Sequence, residues 1–598
     1  MSHITDENFA EELRKEGIDD SMVLGHPSGL FVLFFTEMWE RFSFYGMRVL
    51  LVLFLTAAIT GGNPGLGWSA ENAGALYSTY AMLLYITPIF GGIIADRFIG
   101  YRWAVVIGSI VMTLGHVAMF FDGTMPLYMG LTLLVIGTGF FKPNMTSILS
   151  EMYKKFPQKK DGAYTIFYMG VNAGAFFGMM LCGYLASNLG WHYGFGLAAV
   201  FMGLGTLQFW LAKPLFGTIG DVPKKDSPDV SSKDSQVATD SKRNPFSTID
   251  YVLIGITTVI GLLFAFDAPL YVIGKVDLLP SVDLSFLGLD TLRGMYVLTI
   301  SGLLIFIGLI VSRLIRYDKV VRDRMIAVII FAFFTIFFWM SFEQGASSLV
   351  IFARDSVDRS LQGTSLTMFN TFNTLLTVVP LVLISYVLYL LAKGTWKKAP
   401  STNIVLAITF ALVWVAAAWM LYNEFTKEAS EIEPSWFSIL NSFFIITFAS
   451  SVSRIWDSKF NPPAAVKYGL GLIIMAIGFG LLAYGAHGVA EGVKVSMLWL
   501  ILAYLFHTLG ELCLSPVGLS YVSKLVPARM IAFMFGMWYL AIAIGNKLAA
   551  LLGGQIENIT EAYSLSTFFL IFTIVPAVAG VLVILLNPVL KKLMHGVK

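Results

Sequence analysis

Charged residues are scarce in this chain of 598 residues. Asp, Glu, Lys and Arg make up 13% of it, about half of the ~25% that is usual in soluble globular domains. Hydrophobic residues account for 57%, and apolar runs follow one another from Gly29 to Leu590. A formal net charge of +2 offers no basic surface for a nucleic acid. The composition therefore argues against a soluble or nucleic-acid-binding domain and predicts a polytopic helical membrane protein.

Cysteine is almost missing as well. The two that are present, Cys182 and Cys513, lie in apolar segments, which argues against a disulfide framework or a cysteine metal site. The sequence contains no nucleophile elbow, phosphate loop or zinc motif, so we expect neither an enzyme nor a bound metal or cofactor. The first 28 residues carry six acidic side chains and lack the basic-then-apolar order of a cleaved signal peptide. We therefore expect the first spanning helix to act as the insertion signal.

Sixteen apolar runs are long enough to cross a bilayer as helices, which takes about 20 residues each. The connections between these runs alternate in charge. One alternate set carries 25 Lys and Arg residues, and the other set carries 6. Because basic residues collect on the cytoplasmic side of a membrane, this alternation predicts that both termini lie in the cytoplasm.

A polar segment rich in Ser, Asp and Lys interrupts the apolar runs and is typical of a linker. It suggests two six-helix bundles joined by a tether, with two helix pairs as insertions, because an added pair keeps the orientation of the core helices. The predicted domains are a cytoplasmic tail at 1–28, a six-helix bundle at 29–213, the cytoplasmic linker at 214–248, an inserted helix pair at 249–324, a second six-helix bundle at 325–590 with another inserted pair at 366–425, and a cytoplasmic tail at 591–598.

The first apolar run contains four charges within twelve residues. At 3.6 residues per turn, one stripe of this helix contains Glu37, Arg41, Tyr45 and Arg48, with Glu40 at its edge. An isolated charge at mid-bilayer costs at least ~2.5 kcal/mol, so these side chains need one another, a water-filled cavity, or both. Such a stripe is typical of the wall of an ion or solute pathway. An ion pair that only locks two helices together is the alternative.

Several motifs resemble those of one family. Residues 92–102 (GIIADRFIGYR) are similar to the loop signature of the major facilitator superfamily, and residues 37–46 (EMWERFSFYG) resemble the ExxERFxYYG motif of the proton-dependent oligopeptide transporter (POT or PTR) family. Further resemblances to this family occur at 137–144, 164–175, 339–345, 436–441 and 510–516. They cover both bundles in order, and they leave out the amino-terminal tail, the linker and both inserted pairs.

The resemblance implies an all-α major facilitator fold, two six-helix bundles around a central cavity, here with two additional helix pairs and about 16 spans. It implies a proton-coupled symporter that imports di- and tripeptides across a bacterial inner membrane. The implied partners are a small peptide, the lipid bilayer and the proton as coupling ion, without nucleic acid. A carrier of the same fold for nitrate, an amino acid or a drug is one alternative, and a non-transporting scaffold is another. The oligomeric state stays open.

The resemblance also assigns roles to side chains. Proton coupling is assigned to Glu37, Glu40 and Arg41. Two gate salt bridges are implied, Arg48–Glu343 toward the outside and Lys142–Glu511 toward the cytoplasm, of which one forms as the other breaks. The substrate-binding residues implied are Arg41, Arg48, Tyr45, Tyr85, Lys142, Asn172, Glu343, Asn441, Glu511, Trp339 and Trp538.

Each of these assignments has a structural alternative. Lys142 could reach the cytoplasmic interface with its long side chain, the two glutamates could be satisfied buried acids, the asparagines could bond neighbouring helices, and the aromatic rings could serve packing alone. Gly170, Gly174 and Gly178 predict a close helix-packing face. Ser78 stands where some relatives carry a histidine, so proton coupling would be left to carboxylates. The sequence leaves the roles of Asp267, His507 and Lys547 open.

Overall fold

A computed structural model describes the chain except for residues 1–5, 16, 223–243, 284, 286–290, 457, 460, 490–491, 527–529 and 598. Most of the predicted linker at 214–248 therefore lies outside the described residues, as does the start of the predicted amino-terminal tail. The remaining chain is almost entirely helical.

The helices follow one another along the whole chain. They are α1 (Asp6–Lys15), α2 (Ser28–Thr56), α3 (Ala70–Ile94), α4 (Tyr101–Met119), α5 (Thr124–Met152), α6 (Pro157–Leu189), α7 (Trp191–Leu211), α8 (Lys213–Phe216), α9 (Thr248–Val272), α10 (Gly294–Ile315), α11 (Lys319–Phe342), α12 (Ser348–Asp355), α13 (Gly363–Thr395), α14 (Pro400–Thr426), α15 (Ile439–Trp456), α16 (Ala464–Gly485), α17 (Met497–Leu525), α18 (Ile531–Gly553), α19 (Ile556–Ala562), α20 (Leu565–Leu585) and α21 (Asn587–Leu593).

Short elements connect some of these helices. They are a π-helical turn (Ala95–Ile99), two 3₁₀ turns (Glu343–Ala346 and Pro434–Ser438) and the strands β1 (Met22–Val23), β2 (His26–Pro27), β3 (Val357–Asp358), β4 (Ser360–Gln362), β5 (Ala429–Glu431) and β6 (Val495–Ser496). β1 and β2 form an antiparallel hairpin, and β4 pairs antiparallel with β5. Glycines with positive φ separate neighbouring helices. Gly190 (φ 122°) ends α6, and Gly100 (φ 77°) precedes α4.

The predicted all-α membrane architecture is confirmed. Among the described residues, 15 helical segments are long and apolar enough to cross a membrane. The helix α2, with 29 residues, is also of spanning length, and it carries Glu37, Glu40, Arg41 and Arg48 within its apolar sequence. Together these segments agree with the predicted number of about 16 spans.

Two compact units divide the chain. The first contains Met1–Leu66, Ile86–Ser227 and Val350–Ile446, and the second contains Gly67–Tyr85, Pro228–Leu349 and Thr447–Lys598. Small residues bring helices together inside each unit. In the first, a Cβ at Gly108 of α4 would lie 2.7 Å from the Gly137 carbonyl oxygen of α5, and in the second, a Cβ at Gly471 of α16 would lie 2.8 Å from the Gly510 carbonyl oxygen of α17. Such close approaches replace hydrophobic burial as the main source of helix association in lipid.

The inserted pair α13–α14 belongs to the first unit, although it follows α11 and α12 in the sequence. The ring of Phe410 on α14 lies 5.7 Å from the ring of Phe35 and 5.4 Å from that of Trp39, both on α2. Tyr184 of α6 donates a hydrogen bond of 2.9 Å to Glu424 of α14. This pair therefore packs on helices from the amino-terminal part of the chain.

The segment before α2 is also docked on the first unit. The ring of Phe9 in α1 is fully buried and lies 4.2 Å from that of Phe156, in the connection between α5 and α6. Asp19 accepts a hydrogen bond of 2.6 Å from the Ser28 hydroxyl and pairs with Lys398 between α13 and α14. The Lys398 ammonium, together with the Arg14 guanidinium, lowers the pKa of Asp20 to about 2. The predicted tail thus includes a helix that is held in place by burial and charge.

Candidate functional site

The charges of α2 form a compact buried cluster. The guanidinium Nε of Arg41 lies 2.9 Å from Glu37 Oε1 and 2.6 Å from Glu40 Oε2. The side chains of Arg41 and Glu37 are 8% and 7% exposed, and that of Glu40 is 1% exposed. Two carboxylates therefore share one guanidinium, and the cluster carries a net charge of −1 when all three groups are ionised. The sequence put Glu40 only at the edge of the stripe, whereas in the structure it forms an ion pair with Arg41, and Glu37 accepts the hydrogen bond from the guanidinium.

An aromatic side chain lies between the two arginines of α2. The ring centroid of Phe44 is 5.4 Å from the guanidinium carbon of Arg41 and 5.9 Å from that of Arg48. The Tyr45 ring lies 5.8 Å from the Arg48 guanidinium. Attraction between a guanidinium and a ring face contributes roughly 0.5–2 kcal/mol. These rings attract the two guanidiniums but carry no negative charge, so they do not compete with Glu37 and Glu40 for Arg41.

Lys142 on α5 adds a third cation to this part of the first unit. It is attracted by Glu37 and Glu40 and repelled by Arg41 and Arg48. Pro143, the next residue, cannot donate a backbone hydrogen bond, so the helix has one bond fewer at this point. The structure therefore brings Glu37, Glu40, Arg41, Arg48 and Lys142 within electrostatic reach of one another.

Glycines explain how α2 is held beside α6. A Cβ at Gly170 would lie 2.8 Å from the Phe34 carbonyl oxygen, and Cβ atoms at Gly174 and Gly178 would clash with the carbonyl oxygens of α2. Only glycine permits this approach along three successive turns. The predicted packing face at these glycines is confirmed, and it fixes the rotation of α2 and hence the direction of its charges.

A polar residue on α7 also fixes α2, and it was not among the predicted site residues. Gln208 is fully buried and its amide donates to the Val32 carbonyl at 3.1 Å and to the Thr36 hydroxyl at 3.0 Å. Ser43 similarly donates to the Ala198 carbonyl of α7 at 2.8 Å. A single glutamine in an otherwise apolar helix was the signal available in the sequence, because a buried amide needs partners.

The two predicted asparagines of the first unit are only partly buried. Asn172 on α6 is half-buried, and its amide donates to the Tyr168 carbonyl of its own helix at 3.0 Å. Asn441, near the start of α15, is half-buried as well. The binding roles predicted for both asparagines stay predictions.

In the second unit, Glu343 is 4% exposed and begins the 3₁₀ turn after α11. Its neighbour Gln344 donates to the Met340 carbonyl at 3.1 Å and to the Ala549 carbonyl of α18 at 2.9 Å. The motif at 339–345 thus also supplies a hydrogen bond that joins α11 to α18, a role that was not predicted. Glu511 is half-buried on α17.

The predicted aromatic residues of the second unit make packing contacts. The ring of Trp339 lies 5.5 Å from that of Phe342, and Trp538 is 4% exposed and covers Gly518. Tyr85 is half-buried on α3. Of the predicted gate pairs, Arg48 and Lys142 belong to the first unit and their acidic partners to the second, and both pairs stay predictions.

The described residues contain no group of three or more His, Cys, Asp or Glu side chains that could hold a metal ion. Cys182 and Cys513 are buried free thiols. His507, whose role was open, packs against Phe479 with ring centroids 4.3 Å apart. Its environment is that of a packed core histidine.

Comparison with known proteins identifies the family. A family model described as the POT family matches residues 102–424 and 404–571. The chain is 30% identical to the uncharacterized transporter YclF of Bacillus subtilis, with full coverage of both chains, and 31% identical to the peptide transporter YePEPT of Yersinia enterocolitica, with 96% of each covered. It is 28% identical to a peptide transporter POT solved in complex with sulfate, with a TM-score of 0.69 over 99% of this chain and 100% of that one. The predicted resemblance is confirmed: the chain is an integral membrane protein that belongs to the POT family.

Proposed function

We propose that this protein imports di- and tripeptides together with protons. The observation that carries the proposal is the buried Glu37–Arg41–Glu40 cluster in a membrane helix. A guanidinium shared by two carboxylates can be released by one proton, and a released guanidinium matches a peptide carboxylate in bidentate geometry. The names of similar proteins support the cargo, since they include di-/tripeptide transporters of Lactococcus lactis and dipeptide and tripeptide permeases.

The mechanism follows from the charge balance of the cluster. With both acids ionised, Arg41 is held between them and the cluster is negative. A proton from outside neutralises one carboxylate, which weakens its hold on Arg41 and frees the guanidinium for the terminal carboxylate of the peptide. Arg48 and Lys142 add positive charge for the same end of the substrate. The amino end of the peptide is left to Glu343, Glu511 and the asparagines, as the family resemblance implies.

The energy available is sufficient for accumulation. One positive charge that moves inward gains about 2.3 kcal/mol per 100 mV of membrane potential. For a neutral peptide and one proton, this corresponds to roughly fifty-fold accumulation, because every 1.4 kcal/mol is tenfold. We further propose a bacterial inner membrane as location, with both termini in the cytoplasm, on the charge alternation of the connections, and no cofactor other than the proton.

The test is reconstitution into liposomes with labelled Ala-Ala, an inside-negative potential and an acidic exterior. We expect accumulation that collapses when a protonophore is added. Failure of Ala-Ala and Ala-Ala-Ala to compete, with transport of another small solute intact, would favour the alternative cargo. One similar structure supports including such solutes, since that POT family transporter is in complex with 5-aminolevulinic acid. No proton-dependent flux of any solute would refute transport.

A further inference from the structure

A proline in the inserted helix α9 exposes a backbone acceptor inside the membrane. Pro269 has no N–H, so it cannot give Ala265 the hydrogen bond that the fourth residue along an α-helix normally gives. Ala265 is fully buried, and an unsatisfied carbonyl in hydrocarbon costs several kcal/mol. Side chains from two other helices bond this carbonyl. The Thr79 hydroxyl of α3 donates at 2.6 Å, and the Lys547 ammonium of α18 donates at 3.1 Å.

Lys547 is a buried cation whose hydrogen-bond partners are neutral. The residue is 1% exposed, and its other contacts are the Ser78 hydroxyl at 3.4 Å and the Phe264 ring at 4.9 Å. The acid that attracts it, Asp267, is engaged in an ion pair with Arg293. Lys547 itself forms no ion pair within the described part of the chain. Such a site holds its cation through oriented dipoles and a ring face, and these contacts exist only while the three helices stay together.

The site lies beside a close contact between α3 and α18. A Cβ at Gly74 would lie 2.5 Å from the Ala550 carbonyl oxygen and 2.9 Å from the Cα of Gly554. The Ala70 N–H donates to the Glu557 carboxylate at 3.0 Å at the end of the same contact. We call this contact between α3 and α18 the seam. Lys547 precedes Ala550 by almost one turn, so its ammonium lies at the end of the seam that is deeper in the membrane. By charge alternation, the Ala70 end of α3 faces outside.

We propose that Lys547 is a positioning residue for transport, which holds the seam between α3 and α18 closed by docking on the Ala265 carbonyl of α9. The inserted pair α9–α10 then forms part of the outer gate. Opening the seam would separate the ammonium from Ser78 and Ala265 and bring it into contact with water. The docking contacts therefore bias the carrier toward the outwardly closed state. This inference rests on the proposed transport cycle, but it does not depend on which solute is carried.

The test measures how often the seam opens. Ala75 of α3 is 1% exposed, so a cysteine at this position should react only when the seam opens. Ala75→Cys is made in a background with Cys182→Ala and Cys513→Ala. It is labelled by a charged, membrane-impermeant thiosulfonate added outside. Lys547→Met keeps an unbranched side chain that is one atom shorter, and it removes the donor. We expect this change to raise the labelling rate about tenfold, as follows from losing ~1.4 kcal/mol of gate stabilisation. Gly62→Cys, at an exposed glycine with open space around it, serves as the control site and should label at one rate throughout.

A second change tests the docking point itself. Pro269→Ala restores the N–H that competes with Lys547 for the Ala265 carbonyl, so it should also raise the labelling rate of Ala75→Cys. Lys547→Met should then increase that rate by a smaller factor in the Pro269→Ala background than in the native one. Unchanged labelling in folded Lys547→Met protein, or in Pro269→Ala protein if Lys547→Met does not fold, would overturn the proposal. Fully additive effects would overturn the role of Ala265. Labelling needs neither substrate nor a proton gradient, so a failure of peptide uptake would leave this result standing.

Discussion

Replacing Glu40 with glutamine tests the proton-coupling cluster most directly. The change removes one of the two negative charges around Arg41 and keeps the size of a side chain that is 1% exposed. It imitates the protonated state of the cluster, in which Arg41 retains Glu37 at 2.9 Å. We expect the inside-to-outside concentration ratio of Ala-Ala to fall from roughly fifty-fold per 100 mV to about one. Exchange of labelled for unlabelled peptide should continue.

The structure also sets the size of the effect on stability. A single change leaves the guanidinium with one carboxylate, so the protein should fold. The double change Glu37→Gln/Glu40→Gln leaves a buried cation without an acid, for which a loss of about 3–5 kcal/mol is typical. The thermal transition of the purified double variant should therefore fall clearly below that of either single variant.

Accumulation and exchange are measured on the same liposomes, with Glu561→Gln as the matched control because Glu561 is an exposed acid on α19. Equal loss of accumulation and exchange in folded Glu40→Gln protein would refute the coupling role and favour a binding or structural one. Retained accumulation would show that the proton is carried elsewhere.

Three further changes test the packing and the titration behaviour of the protein. Gly174→Val places a branched side chain against the Met38 carbonyl and should abolish folded protein on size-exclusion chromatography, whereas Gly255→Val, which has open space around it, should not. Gln344→Leu removes the bond to the Ala549 carbonyl and should lower stability by about 1–3 kcal/mol in chemical denaturation, without changing the KM for peptide. Burial raises the pKa of Glu433, just before the span Pro434–Trp456, from 4.5 to about 7. The folded protein then holds a proton that the unfolded chain releases, so stability falls as pH rises through this interval. Glu433→Gln should therefore reduce the drop in melting temperature between pH ~5 and pH ~8, and an unaltered drop would contradict this assignment.

The sequence by itself determined the number of spans and the stripe of charges on α2. Apolar run length and helical period are local properties, and each side chain's position on a helix follows from its place in the chain. The glycines of α6 could likewise be predicted as a packing face, because their spacing of four residues places them on one side of the helix.

Only the tertiary structure decided which partners these elements take. Glu40 pairs with Arg41 as Glu37 does, although the helical period put it only at the edge of the stripe, because side-chain direction depends on the helices packed around α2. The pair α13–α14 packs on α2 and α6 although it lies far from them in sequence, since any apolar helix face can in principle cover any other. The partner of the Ala265 carbonyl could not be predicted from the sequence either. Pro269 shows that this carbonyl lacks its helical donor, but only the structure shows that Lys547 supplies one.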